Sequence, residues 1–164
     1  MSYKSYISAA TASLMTAVLV AISATGAMAG EENKSYVGPT IGLGGGTVFG
    51  VVSKFPISEN ISARPFVQFG SQSFTGGTAT LALYGASATY DFKIPKSGFT
   101  PYAGIGILAA TVSVTGSGFS GAASGTGVYF DLGTDYAISD SIVLNASYRS
   151  NVGGYFSVGA GYQF

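Results

Sequence analysis

The sequence predicts an all-β fold: an eight-stranded antiparallel up-and-down transmembrane β-barrel that follows a cleaved signal peptide. Hydrophobic residues make up 47% of the 164 residues and charged residues only 9%, against about 25% charged in ordinary soluble domains. After residue 30 the apolar residues recur at every second position, which is the period of a strand. Because no apolar run there is long enough for a membrane helix, we expect strands to cross the membrane.

The first 29 residues have the three parts of a secretory signal peptide. Lys4 supplies the positive charge, residues 14–22 (LMTAVLVAI) supply the apolar core, and Ala27 and Ala29 are the small residues that precede cleavage. The apolar core is well short of the roughly 20 residues that a spanning helix needs. We therefore expect a cleaved signal peptide rather than a retained membrane anchor.

The remaining residues, 30–164, form one predicted domain of eight strands. We place the strands at 35–44, 47–57, 61–73, 80–94, 100–115, 126–138, 141–150 and 154–164. Tight connections alternate with Gly-rich ones, of which 115–125 is the longest. An up-and-down barrel has this property because successive connections lie at opposite ends.

Alternation also assigns a face to most side chains. The charged residues of the predicted strands all lie opposite the apolar face: Lys54, Arg64, Asp91, Lys93, Asp131, Asp135 and Arg149. A soluble, lipocalin-like barrel would turn these charges outward. A membrane barrel turns them inward, because a Lys or Arg at mid-depth on the lipid side costs about 2–4 kcal/mol. Aromatic residues near the tight turns, on the apolar face, favour the membrane barrel. The second, third and fifth strands carry apolar residues on both faces, so their registers stay open.

The inward charges predict a polar network that fills the lumen. An eight-stranded barrel is only wide enough to hold side chains, and buried charges must pair. We expect the seven charged residues to form this network together with Gln68, Gln72, Asn145 and Gln163. The alternative is a narrow ion path through the same residues.

The signal peptide, the eight alternating strands and the terminal GYQF resemble the small bacterial outer-membrane β-barrel proteins, such as the OmpA transmembrane domain and OmpX. Residues 100–108 (TPYAGIGIL) are similar to a strand start common in that family. The resemblance implies an outer-membrane location, surrounding lipid, and periplasmic chaperones and the barrel-assembly machinery as partners during biogenesis. It implies that the machinery reads a terminal signal, which here comprises Phe156, Val158, Tyr162 and Phe164.

Catalytic and cofactor chemistry finds little support. The chain has no Cys and no His, so thiol catalysis, the commonest general base and the commonest metal ligand are excluded, and we expect no enzyme, cofactor or metal site. Residues 104–109 (GIGILA) match a dinucleotide fingerprint, but no helix follows the predicted strand. We read these glycines as space for large lumen side chains such as Tyr129. Asp131 and Asp135 would lie about 13 Å apart on one strand, too far for a catalytic pair.

The sequence therefore predicts a monomeric, non-enzymatic outer-membrane barrel with a structural role in envelope integrity. Zero net charge gives no reason to expect a nucleic-acid partner. Two alternatives stay open. One is an adhesin-like barrel that binds through its outer loops, where Phe119 is an exposed aromatic candidate. The other is a narrow minor porin.

Overall fold

The computed structural model describes residues 34–44, 46–150 and 154–164. The predicted signal peptide, with its cleavage residues Ala27 and Ala29, lies outside these ranges. The described residues include no helix of the length and hydropathy needed to span a membrane.

Eight strands follow one another along the chain. They are β1 (Tyr36–Gly44), β2 (Gly46–Pro56), β3 (Ile61–Phe74), β4 (Gly77–Asp91), β5 (Phe99–Gly116), β6 (Phe119–Ala137), β7 (Ile142–Arg149) and β8 (Tyr155–Gln163). Each strand pairs antiparallel with the next, and β8 pairs with β1, so the sheet closes on itself. The predicted eight-stranded up-and-down barrel is confirmed.

Two connections are shorter than the sequence analysis predicts. Phe74 pairs directly with Gly77, and Gly116 with Phe119, so each hairpin closes through a two-residue turn. Gly76 and Gly118 take positive φ values of 93° and 83° at the second turn position, a conformation that glycine adopts without a steric penalty. The predicted long loop at 115–125 is therefore wrong, because most of it is strand.

The lumen is lined by apolar as well as polar side chains. One buried cluster of hydrophobic side chains packs among the polar residues of the lumen: Tyr36, Val52, Phe66, Leu83, Leu108, Tyr129, Val143 and Tyr155. Val52, Phe66 and Leu108 settle the registers of β2, β3 and β5, which alternation alone left open. Residues of the opposite parity in these strands, such as Phe49 and Ile107, are exposed or partly exposed, except at the end of β2, where Ser53 and Phe55 are buried.

The outer surface of the barrel is apolar over most of its height. Aromatic side chains collect at the end with the longer turns, where Tyr90 packs edge-on against Phe92 and Phe99 packs against Tyr136. Phe55, which alternation assigns to the same side, is buried at 1% exposure. The exposed aromatics lie at the end of the barrel that carries the connections 58–60, 95–99 and 139–141, where the sequence predicts a ring of aromatics.

Four strands continue past the other end of the barrel. β6 pairs with β7 only from Asp131 onward, and β3 pairs with β2 only as far as Gly70. Beyond these points β3, β4, β5 and β6 form a four-stranded sheet, which we call the extension. It comprises residues 70–74, 77–81, 112–116 and 119–123.

Candidate functional site

Arg64 lies at the centre of the first polar cluster in the lumen and is 1% exposed. Its Nη2 donates to Asp91 at 2.9 Å and to Asp135 at 2.8 Å. Its Nη1 donates to the hydroxyl of Tyr36 at 3.0 Å and to Asp135 at 3.2 Å. Its Nε donates to the hydroxyl of Thr89 at 2.9 Å. All five N–H groups of the guanidinium therefore have acceptors.

Lys54 adds the second cation of this cluster. Its Nζ lies 2.9 Å from Asp91 and 3.8 Å from Asp135. Ser62 donates to Asp91 at 2.6 Å, and Asn145 donates to Asp135 at 2.8 Å. Two cations thus face two carboxylates whose oxygens also accept neutral hydrogen bonds. Such pairing offsets the cost of removing four charges from water. We call Lys54, Arg64, Asp91 and Asp135 the Arg64 cluster.

A second cluster lies nearer the extension. Arg149 Nη1 donates to the Tyr155 hydroxyl at 3.0 Å, and that hydroxyl donates to Gln68 at 3.0 Å. Asp131 accepts from Ser87 at 2.7 Å and lies 3.7 Å from Arg149 Nε. The Arg149 guanidinium also lies 4.0 Å from the ring centre of Phe66, within the range of a cation–π contact. We call Arg149 and Asp131 the Arg149 cluster.

The Arg149 cluster is the more loosely bonded of the two. Within the described residues, four buried polar atoms of this cluster and its neighbours have no hydrogen-bond partner: Gln68 Nε2, Tyr129 Oη, Asp131 Oδ1 and Arg149 Nε. The Arg64 cluster and its neighbours leave only Asn145 Oδ1 in that condition. The tightest closure of the lumen is therefore at the level of Arg64.

The structure brings six of the seven predicted charged residues into the lumen and leaves Lys93 out. β4 ends at Asp91, where Phe92 donates its N–H to Pro101 and the chain turns away. Lys93 is exposed and lines a cavity of about 240 Å³ at the mouth of the barrel. Its predicted place in the network is wrong because the strand stops before reaching it.

Of the four amide side chains that the sequence predicts in the lumen network, two lie in it and two do not. Gln68 and Asn145 are buried and hydrogen-bonded in the lumen. Gln72 is exposed in the extension, and Gln163 lines the mouth cavity beside Lys93. The amides near the ends of the barrel thus stay outside the two clusters.

Tyr129 was placed in the lumen from the sequence, but Tyr36 and Tyr102 beside Arg64 and Tyr155 beside Arg149 were missed. Tyr102 lies 3.6 Å from the Arg64 guanidinium carbon, measured to the ring centre, and accepts a hydrogen bond from Asn145 at 3.1 Å. The sequence feature that indicates an inward tyrosine is a glycine directly opposite it on the neighbouring strand. Tyr102 pairs with Gly133, and Tyr129 pairs with Gly106, so each ring lies over a residue that has no side chain.

The two clusters pair charges of opposite sign and fill the lumen. Asp131 and Asp135, considered as a carboxylate pair, belong to different clusters and face different arginines. Among the described residues no group of His, Cys, Asp or Glu is placed to hold a metal ion. The chemistry available to the clusters is pairing across the lumen.

The last strand carries the residues of the predicted assembly signal on the outer face. Phe156, Val158, Tyr162 and Phe164 are between 50% and 65% exposed. β8 pairs with both β1 and β7, and Phe164 donates its N–H to Ser35 at 3.0 Å. The final residues therefore complete the closing seam of the barrel.

No protein-family model matches the chain, and no curated protein matches it. Several solved structures do. The N-terminal β-barrel domain of OprF from Pseudomonas aeruginosa has a TM-score of 0.63 at 17% identity, covering 80% of this chain and 98% of that one. Neisserial surface protein A has a TM-score of 0.60 at 20% identity, covering 80% and 95%. Ail, the attachment invasion locus protein of Yersinia pestis, has a TM-score of 0.59 at 16% identity, covering 80% and 97%.

These similarities cover nearly the whole of each solved barrel at low sequence identity, so they describe the fold. Together with the closed sheet of eight antiparallel strands, they show that this chain has the fold of the small bacterial outer-membrane β-barrels.

Proposed function

We propose that this protein is a non-enzymatic integral β-barrel of the bacterial outer membrane with a structural role in envelope integrity. One observation carries the proposal. Every charged residue in the eight strands is buried inside the barrel: Lys54, Arg64, Asp91, Asp131, Asp135 and Arg149. The outer face of the same strands exposes aliphatic and aromatic side chains instead. A lipid-facing surface has this composition, and a water-facing one does not.

The proposal includes a lumen closed by side chains. The two polar clusters and the buried apolar cluster occupy the interior, and the Arg64 guanidinium spans it from β3 to Asp135 on β6. Purified barrel in planar bilayers should give no steady single-channel current. Steady conductance, reproducible between preparations, would favour the minor-porin alternative and contradict the closed lumen.

The proposed route to the membrane is that of other outer-membrane barrels. The exported chain, without residues 1–29, would be delivered by periplasmic chaperones and folded by the barrel-assembly machinery. The exposed face of β8, with Phe156, Val158, Tyr162 and Phe164, supports this because the resemblance assigns the signal to these positions. The barrel would then stand as a monomer in lipid with the ring of aromatics toward the periplasm.

A deletion strain tests the structural role. We expect the strain to become more sensitive to detergent and to large antibiotics, and a plasmid copy of the gene should restore resistance. A variant lacking Phe164 should restore it less well than wild type. Unchanged sensitivity of the deletion strain, under conditions in which the wild-type protein is present in the membrane, would contradict the role.

A second candidate function is binding at the cell surface through the extension. The backbone N–H and C=O of Phe130 point toward β7, where they bond Ser150. Because successive residues alternate, Ser120, Ala122 and Ser124 direct their backbone groups to the same side. In the described part of the chain no strand pairs with β6 there. Such an edge can accept a strand from a partner.

The binding candidate draws on Ail, a barrel of the same fold that is named an attachment invasion locus protein. If it is right, expression of this protein should raise adherence of cells to a surface coated with extracellular-matrix protein. Ala122→Pro removes one N–H from the open edge and should abolish the gain without changing the amount of folded barrel. Equal adherence with and without the protein would exclude this role on that surface.

A further inference from the structure

The extension has a polar outer face and a mostly apolar inner face, the reverse of the barrel below it. On its outer face two cross-strand rows are almost entirely Ser and Thr: Ser71–Thr80–Ser113–Ala122 and Ser73–Thr78–Thr115–Ser120. On its inner face the rows are mostly apolar: Gly70–Leu81–Val112–Ala123, Gln72–Ala79–Val114–Gly121 and Phe74–Gly77–Gly116–Phe119. The outer hydroxyls suit water, so the lipid belt ends at the base of the extension.

Among the described residues, none covers the inner apolar face completely. Val112 is 39% exposed, Phe74 46% and Phe119 50%. Directly opposite, the hairpin of β1 and β2 presents Gly42, Gly44 and Gly46, which have no side chains to close the gap. A small pocket of about 40 Å³ lies between these glycines and Leu81, Leu83 and Tyr155. An apolar surface in this setting marks a binding site more often than a free face.

We propose that the inner face of the extension and the pocket at its base bind the acyl chain of an amphiphile. The inference rests on the outer-membrane location proposed above, which puts the extension outside the cell beside the outer leaflet. The extension contains no charged residue, so it complements a neutral chain and offers no counter-ion to a charged headgroup. The headgroup would therefore remain in water beyond the tips of the hairpins.

The dimensions of the surface suit such a chain. From the row of Phe74 and Gly77 to Leu83 there are six residues of strand, or about 20 Å, which is comparable to an extended acyl chain. The apolar surface continues without a charged break into the buried residues Leu83 and Leu108. At the rim, the rings of Phe74 and Phe119 lie over Gly77 and Gly116. These two rings, one from β3 and one from β6, lie at the outer end of the apolar inner face.

Photo-cross-linking tests the proposal in the folded full-length barrel. The protein is embedded in phosphatidylcholine nanodiscs and exposed to lysophosphatidylcholine carrying a diazirine at the end of its chain. Cross-linked residues are identified by mass spectrometry, with and without excess unlabelled lysophosphatidylcholine. We expect cross-links on inner-face residues of the extension that the excess abolishes. Cross-links on the lipid-facing belt should persist, because bulk lipid contact does not saturate.

Two matched variants add the same charge to opposite faces of one strand. Val114→Asp puts a carboxylate on the inner face and should lower the inner cross-links roughly tenfold or more, because an unpaired charge opposes burial against an acyl chain. Ser113→Asp puts it on the outer face, in the neighbouring position, and should leave them unchanged. Equal loss in both variants would overturn the proposal.

The remaining outcomes separate this inference from the proposed function. Belt cross-links without saturable inner-face cross-links would overturn the acyl site and leave the membrane barrel standing. Absence of belt cross-links, together with gel migration that does not depend on heating, would overturn both. Protection of the Ser120–Ser124 backbone by an added peptide, with no inner-face cross-links, would assign the extension to a strand partner instead.

Discussion

Arg64 and Asp135, 71 positions apart in the sequence, form a two-pronged pair inside the lumen, with Nη1–Oδ1 at 3.2 Å and Nη2–Oδ2 at 2.8 Å. The pair connects β3 to β6, strands that do not touch in the sheet. This geometry matches a planar guanidinium to a planar carboxylate and gives both strength and orientation. The pair therefore holds two lumen side chains from opposite parts of the barrel in one arrangement, as a closed lumen requires.

Arg64→Met should lower the free energy of unfolding by about 3–5 kcal/mol, because it leaves the buried carboxylates of Asp91 and Asp135 with only Lys54 as a cation. Urea titration of barrel folded in lipid vesicles measures this. Lys93→Met is the matched control, since Lys93 is exposed and outside the clusters, and should change the value by no more than about 0.5 kcal/mol. A loss of the same size in both variants would mean that the pairing is not responsible.

Gly106→Ala should destabilise the barrel by roughly 1–3 kcal/mol through overpacking. A Cβ at this position would lie 2.5 Å from the backbone oxygen of Ala86 and 2.6 Å from two ring carbons of Tyr129, so both the backbone and the ring would have to shift. Gly121→Ala is the control, because a Cβ there meets nothing within 4 Å. The same urea titration compares them. If Gly106→Ala were as stable as Gly121→Ala, the packing of Tyr129 over Gly106 would not be tight.

Phe164→Ala should reduce the amount of assembled barrel in the membrane several-fold and leave the stability of the folded protein almost unchanged. The side chain is 52% exposed, so little packing is lost, whereas the proposed assembly signal includes this residue. Phe92→Ala is the control: its ring is 49% exposed but lies far from the terminus in sequence. Heat-dependent migration of membrane fractions on gels measures assembly. Equal assembly of both variants would argue against a terminal signal.

The sequence predicted the strands and the inward charges well because one signal, period-two alternation, controls both. In β6, Asp131 and Asp135 sit among large apolar residues of the opposite parity, so only one register keeps charge out of lipid. In β2, β3 and β5 that constraint is weaker. Val52, Phe66 and Leu108 are inside although their neighbours Val51, Val67 and Ile107 are equally apolar. Lys54 and Arg64 share the parity of Val52 and Phe66, so charge indicates the register of β2 and β3. β5 has no charged residue, and there only the packing of the narrow lumen separates the two choices.

The tips of the extension and its β6 strand escaped prediction for a different physical reason. Residues 115–125 are Gly, Ser and Ala with one Thr and one Phe, a composition typical of loops. They form strand because β4 and β5 already supply a paired edge on which Phe119 to Gly125 complete the ladder. Lys93 was misplaced for the opposite reason. The alternation of apolar and polar residues continues in the sequence as far as Lys93, whereas β4 ends at Asp91.

The most direct test of the central claim, that this barrel faces lipid outside and pairs its charges inside, is a pair of arginine substitutions on the outer face of β5. Ile107 is 67% exposed in the apolar belt, whereas Thr115 lies on the same face in the hydroxyl rows of the extension. In lipid vesicles Ile107→Arg should lower the free energy of unfolding by about 2–4 kcal/mol. Thr115→Arg should change it by no more than about 0.5 kcal/mol. Unfolding free energies that are unaltered in both variants would contradict the claim, because a water-facing surface accepts arginine at either position.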